Sequence, residues 1–198
     1  PGICFVTRGP GACNASIGVH TAYHEGTPLI LFVGQVPVKS LKKNAFQSID
    51  TDKFFNSMAK YTETIKDPKN IRKILEKAIY ISTEGKPGPV VLGIPEDIQF
   101  AMVSDKISEV LENKTHKIKS KIFRAYIKEL NHSKRPIIVL SGSKWKKETK
   151  KKLETFAKNN DIPFAVTFRK NDLFDNQNKK FVGSLGVGPD TNLSLIHI

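Results

Sequence analysis

Cysteine, methionine and tryptophan are scarce in this chain: two, two and one in 198 residues. Cys4 and Cys13 form no CxxC pair and have no histidine at metal-ligand spacing, so spacing supports neither a thiol redox motif nor a zinc site. Two small buried thiols in a reducing, cytoplasmic setting are expected. No apolar run approaches the roughly 20 residues that a membrane helix needs, so no membrane partner is expected. The chain opens on Pro1-Gly2 and runs at once into an apolar stretch, so a signal peptide is not expected and an internal fragment is. Acidic residues are also short, 19 against 32 basic ones, for a net charge of +13. Arginine contributes only Arg8, Arg72, Arg124, Arg135 and Arg169 to that excess. Nucleic-acid sites more often combine arginine with exposed aromatics, and no such interleaving occurs. The run Lys144-Trp145-Lys146-Lys147-Glu148-Thr149-Lys150-Lys151-Lys152 fits the wet face of a helix whose apolar stripe includes Trp145, Leu153, Phe156 and Ala157. A solvated lysine surface is therefore expected, and no nucleic-acid partner.

The apolar segments that are present alternate with amphipathic ones. Ile3–Thr7 predicts a strand and Ala12–Glu25 a helix, followed by a second, almost wholly apolar strand over Leu29–Gly34. Asp67-Pro68 opens a helix through about Ser82, with Ile71, Ile74, Leu75, Ala78, Ile79 and Ile81 on or near its apolar side. Gly85 ends it, and Pro89–Ile94 is a third strand closed by Pro95. This alternation implies an α/β fold with a mostly parallel sheet and helices on both faces. From Ala101 to Lys119 the pattern loosens into lysine, serine, glutamate and asparagine, a linker composition. A second series follows: a helix over Ile122–Leu130, a strand over Pro136–Leu140, a helix over Lys146–Lys158 and a strand over Pro163–Phe168. Two strands leave such a sheet unfinished, so the second domain is expected to be truncated. Leu193–Ile198 carries no recognisable continuation and is expected to be a scar rather than native sequence.

Gly9-Pro10-Gly11-Ala12-Cys13-Asn14 stands between the first strand and the first helix. Glycine permits a sharp turn, proline fixes φ, and a starting helix offers unpaired N–H groups to a ligand. Three further segments follow it in order: Phe32-Val33-Gly34-Gln35-Val36-Pro37, then Ala45-Phe46-Gln47, then Gly85-Lys86-Pro87-Gly88-Pro89-Val90-Val91-Leu92-Gly93-Ile94-Pro95-Glu96-Asp97. Taken together, these segments resemble the thiamine-diphosphate enzymes of the acetolactate synthase type, and the likeness covers nearly the whole chain. It implies the later part of a pyrimidine-binding domain over residues 1–103, a linker over 104–119, and the first half of a Rossmann-like central domain over 120–198.

The resemblance further implies an enzyme that decarboxylates a pyruvate-like 2-oxo acid and transfers the acyl carbanion, as in branched-chain amino acid biosynthesis. In such enzymes Mg²⁺ is held by a third domain downstream of this chain, and the catalytic glutamate lies upstream of it. No catalytic residue is therefore assigned here, and the fragment alone is expected to be inactive. Pro10, Gly11 and Asn14 match positions along the pyrimidine ring, although Asn14 serves equally as a helix-start residue satisfying local N–H groups. Cys13 stands where threonine is common. Phe46 and Gln47 match a pair that reaches toward the reacting end of the cofactor. Lys86 stands where acetolactate synthases place an arginine that contacts FAD. Lysine lacks that planar two-pronged donor, so FAD is not carried over, although Ser141-Gly142-Ser143 occupies the matching turn of the central domain. Arg8 stands where the biosynthetic enzymes usually have serine. The intact parent is expected to be a homodimer or homotetramer. Two alternatives stay open: another thiamine-diphosphate decarboxylase or carboligase, and a non-catalytic binding or regulatory module with the same fold.

His20, His24, His116, His132 and His197 show no HExxH spacing. His20 and His24 lie four apart on one helix and could share a metal, but no further ligand is nearby in sequence. A surface or packing role is expected, and no metal site is assigned. Neither a Ser–His–Asp arrangement nor a GxxxxGK[ST] loop is present.

Overall fold

A computed structural model describes residues 1–103 and 118–188 of the chain. The chain forms two compact units, Pro1–Lys114 and Thr115–Ile198. Most of the expected linker, and the whole of Leu193–Ile198, lie outside the described residues.

The first unit is built on four parallel strands, β1 (Gly2–Val6), β2 (Leu29–Gln35), β3 (Tyr61–Thr64) and β4 (Pro89–Pro95), in the order β1-β2-β4-β3. Around them lie α1 (Gly9–Glu25), α2 (Thr51–Phe55), α3 (Ile71–Thr83) and the short α4 (Glu96–Gln99). Side chains alternate across a strand, so β2 and β4 supply two separate cores. Leu31, Val33 and Val91 pack with Ala12, Val19 and Phe55 on the α1/α2 face. Ile30, Phe32, Val90 and Leu92 pack with Ile74, Ala78 and Ile98 on the α3/α4 face. Both faces are covered, which is why these two strands are apolar almost throughout. Each buried aliphatic side chain contributes roughly 1.5–3 kcal/mol relative to exposure. The α/β fold with a parallel sheet and helices on both faces is as expected.

Several local features differ from the sequence expectation. Helix α1 begins at Gly9, not Ala12, with Arg8 as its N-cap and Pro10 in the first turn. Proline lacks an N–H that this turn could not use anyway, and its fixed φ suits a helix start. The Gly-Pro-Gly segment is thus the first turn of the helix rather than a loop before it. Asp67 does accept from the Lys69 N–H at 2.9 Å, but it opens a 3-10 turn over Pro68–Asn70 that leads into α3. Cys4 and Cys13 are exposed, not buried. Cys4 sits on β1, an edge strand, and Cys13 follows the buried Ala12 on the solvent side of α1. Strand β3 is unanticipated because Tyr61-Thr62-Glu63-Thr64 is polar; as the other edge strand it bonds only to β4.

The second unit has three parallel strands in the order β5 (Ile138–Leu140), β6 (Phe164–Thr167) and β7 (Phe181–Leu185), with helices α5 (Ser120–His132) and α6 (Lys147–Asn159). Strand β7 adds a third member to a sheet for which two were expected. Its period is obscured by Gly183, at φ +108°, and by a register shift opposite Phe164–Val166. Leu140, Ala157, Phe164, Val166 and Phe174 form the core. Trp145 lies before α6 rather than on its stripe. Its indole N–H donates to the Ser141 carbonyl at 2.8 Å and its ring meets Phe174 edge-on at 5.6 Å. Phe156 is 40% exposed and lies outside the core cluster, while Leu153 and Ala157 carry the packing. Among the described residues, no helix is long and apolar enough to cross a membrane.

Candidate functional site

In a parallel α/β sheet the loops that can converge on a ligand lie beyond the carboxyl ends of the strands. Three of the sequence segments singled out above meet there in the first unit. Arg8–Gly11 follows β1, the long segment 36–50 follows β2, and Glu96-Asp97 follows β4.

Gly11 allows α1 to start directly on the end of β1: a Cβ there would stand 3.0 Å from both Val6 Cβ and Thr7 Cγ2. The Gly9 N–H donates to the Gln47 carbonyl at 2.8 Å. That single backbone bond joins the helix start to the Phe46-Gln47 segment, so the structure brings these two sequence candidates together. Phe46 is 80% exposed, and Pro10, Asn14 and Gln47 are exposed as well. Asn14 falls in the second turn of α1, because the helix starts at Gly9, and no side chain caps that start. The local capping role considered for Asn14 therefore does not apply, and its amide faces outward. Pro10, Cys13 and Asn14 are thus exposed near the exposed Phe46 and Gln47, while Ala12 between them is buried.

Segment 36–50 is held in an unusual shape. Lys42, Asn44 and Gln47 all adopt left-handed backbone, at φ +67°, +50° and +60°. Such conformations cost roughly 1–3 kcal/mol each when the surroundings impose them. Side chains at the strand ends supply the imposing contacts. The Gln35 amide, on the last residue of β2, donates to the Ile49 carbonyl at 2.6 Å. The Asp97 carboxylate accepts the Val38 N–H at 3.1 Å. Thr51 and Thr64 hydroxyls pair at 2.9 Å directly over Gly93, where a Cβ would come within 2.9 Å of both oxygens. Gly93 is thus the position on β4 that lets α2 lock onto β3.

Two charged groups complete the rim. Arg8 Nη2 donates to Glu96 Oε2 at 2.9 Å, tying the end of β1 to the end of β4. In the sequence Arg8 stands out only as a departure from the family pattern, and Glu96 carries no expected role. Eighty-eight residues separate them, so no local spacing signals the pair. Burial, then repulsion from Asp50, raise the Asp52 carboxyl above the ordinary carboxylate value, with Lys66 opposing. Beside this rim, on the α3/α4 face, lies a cavity of about 300 Å³ lined by Phe5, Thr7, Phe32, Gly34, Ile94 and Gln99. Phe5 and Phe32 stack along its wall with centroids 4.5 Å apart. Lys86 lies at the other end of the sheet: its stem packs beside Gly26, and its ammonium sits 5.7 Å from the Tyr23 ring centroid. Among the described residues, no group of three or more His, Cys, Asp and Glu side chains could hold a metal ion.

Comparison with known proteins finds family resemblance in both units. Residues 1–54 match the family profile described as "Thiamine pyrophosphate enzyme, N-terminal TPP binding domain", and residues 123–196 match "Thiamine pyrophosphate enzyme, central domain". An acetolactate synthase large subunit of Lactococcus lactis is 35% identical over 71% of this chain and 25% of its own length. That of Haemophilus influenzae is 31% identical over 94% of this chain and 34% of its own length. A probable acetolactate synthase large subunit of Methanocaldococcus jannaschii is 31% identical over 94% of this chain and 33% of its own length. The chain therefore spans about a third, or less, of these curated relatives.

Proposed function

Because the chain belongs to the thiamine pyrophosphate enzyme family, we propose that it is part of an acetolactate synthase-like enzyme acting on a pyruvate-like 2-oxo acid. The parent removes CO₂ from that acid and transfers the remaining acyl unit to an acceptor. The carrying observation is the 2.8 Å bond from the Gly9 N–H to the Gln47 carbonyl, which fixes the Pro10–Asn14 edge beside Phe46 and Gln47. The proposed domain boundaries are 1–103 for the pyrimidine-binding part and 120–198 for the central part, with the linker over 104–119.

Thiamine diphosphate, when bound, supplies a nucleophilic carbon for the substrate carbonyl and an electron sink for loss of CO₂. This chain contributes orientation. Pro10 and Gly11 would supply a side-chain-poor edge to the pyrimidine ring, and Asn14 would offer an amide to the ring or to a neighbouring loop. Phe46 covers apolar surface near the reacting end, and the Gln47 side-chain amide donates to a substrate carboxylate. Gln35 and Asp97 hold segment 36–50 so that Phe46 and Gln47 are already placed before substrate arrives. Mg²⁺ binds through a part of the parent outside this chain. The parent acts as a homodimer or homotetramer in the cytoplasm. Lys86 offers a point charge where a planar two-pronged donor would contact FAD, so FAD is left out of this reading.

The test is to assay the intact parent for pyruvate-dependent CO₂ release with thiamine diphosphate and Mg²⁺. Activity is expected, and Gln47→Ala is expected to lower kcat/KM by about a hundredfold, as loss of a transition-state donor does. A parent that binds thiamine diphosphate but releases no CO₂ from pyruvate or other 2-oxo acids overturns the catalytic reading. The 198-residue chain alone is expected to bind the cofactor weakly and to be inactive; tight, Mg²⁺-dependent binding by calorimetry overturns that part.

A further inference from the structure

Away from the carboxyl ends of the strands, α1 carries a pair of histidines whose geometry has a separate use. His20 and His24 lie one turn apart on the same face, both exposed, with their Nε2 atoms 3.2 Å apart. Their ring centroids are 4.5 Å apart and the planes cross at 57°. Tyr23 meets His24 edge-on at 5.6 Å and restricts that ring.

Two metal–nitrogen bonds of about 2.0–2.1 Å place their nitrogens about 2.9 Å apart at a right angle and about 3.3 Å apart at the tetrahedral angle. The observed separation falls inside that window. Which ring donates in this contact depends on the tautomer. With both rings neutral and protonated on Nδ1, each presents its Nε2 lone pair, and the two nitrogens are close enough to ligate one ion. A helix holds this spacing without loop closure, so little ordering remains to oppose binding.

We propose that His20 and His24 form a two-point chelate for a late first-row divalent cation such as Ni²⁺ or Zn²⁺, with water completing the coordination shell. Imidazole pairs suit these ions, whereas Mg²⁺ takes oxygen ligands. The site is independent of thiamine diphosphate binding and stands or falls without it. It clamps two turns of the helix whose first turn forms the candidate cofactor edge.

The experiment titrates the 198-residue chain with Ni²⁺ and Zn²⁺ by calorimetry, with Mg²⁺ as the hard-ion control. Cys4→Ser and Cys13→Ser are present throughout, since both thiols are exposed and compete for soft ions. One equivalent of Ni²⁺ is expected to bind, and no Mg²⁺ at this site. His20→Gln or His24→Gln is expected to weaken Ni²⁺ binding on the order of a hundredfold, because the second ligand's effective concentration is lost. Ni²⁺ should also raise the melting midpoint of the 198-residue chain that keeps both histidines but not of either histidine variant. Both substitutions are on the surface, and unchanged metal-free melting establishes that they fold. Equal Ni²⁺ affinity in the variants, or no binding at millimolar Ni²⁺, overturns the proposal.

Discussion

The two units use the same parallel α/β plan to different ends. In the first, two strands are covered on both faces, and the loops at their carboxyl ends are tied together by side chains from distant segments: Gln35 to Ile49, Asp97 to Val38, Arg8 to Glu96. In the second, order comes from aromatic packing. Phe164 sits at its centre, with Phe174 at 5.3 Å and Phe181 at 5.7 Å. Helix α5 buries none of its residues, and α6 exposes Lys147, Lys151, Lys152 and Lys158 while Lys150 donates to the Leu173 carbonyl at 2.9 Å. The polar ties of the first unit cost desolvation and yield little net stability, yet they hold segment 36–50 in a strained shape. Their effect is placement, whereas the aromatic cluster mainly provides cohesion.

The sharpest way to break this contrast is Phe164→Ala. It should cost about 3–5 kcal/mol and strip amide protection from β5, β6 and β7 while leaving β2 and β4 protected in hydrogen exchange. Equal loss in both units would mean that their stabilities are not separable. Gln35→Leu should behave differently. The Oε1 of Gln35 is buried and meets no donor among the described residues, so leucine removes one orphan acceptor while freeing the Ile49 carbonyl. Stability should change by less than about 1 kcal/mol, while amides of residues 45–50 exchange faster. A large fall in melting midpoint with unchanged loop exchange would contradict the placement role.

A double-mutant cycle on Arg8→Ala and Glu96→Gln should give a coupling of under about 1 kcal/mol, fading with salt, since the two side chains are 29% and 53% exposed. The smallest effect is expected from Asp52→Asn. Because the folded-state carboxyl is raised, the native state binds more protons than the unfolded chain, and stability falls as pH rises through that range. The variant should therefore melt slightly higher than the parent at pH 7. That advantage should shrink as pH falls through the raised folded-state range and be gone once pH is below the ordinary carboxylate value. Melting curves of both proteins at several pH values decide it.

Much of the first unit was legible because β1, β2 and β4 are apolar runs bounded by glycine or proline, and α3 repeats its apolar residues at helical spacing. What escaped has physical causes. Strand β3 is polar, and each of its four residues is only half-buried, so it carries no apolar run to read. The helical start at Gly9 looked like a loop, because glycine and proline signal turns more often than first turns. The exposure of Cys4 depends on β1 being an edge, which no local pattern states. For the site, Pro10, Gly11, Asn14, Phe46 and Gln47 could be proposed from motif resemblance, but their support could not. Gln35 acts on a carbonyl fourteen residues away and Arg8 on a carboxylate eighty-eight away, distances that only the fold closes.

The shared direction of β1, β2, β3 and β4 has an engineering consequence. A sheet whose strands all run one way has a working end and an idle end, and the chain must cross the idle end between each helix and the next strand. Gly85, between α3 and β4, lies at that idle end; its φ of +57° strains any side chain placed on it, although no atom lies within 4 Å of where a Cβ would stand. A fluorophore or affinity handle is therefore better inserted next to Gly85, with the glycine kept, where it would ride on the far side of the sheet from Pro10 and Gln47. That turn offers a place to attach, immobilise or report on the protein at a distance from the candidate site.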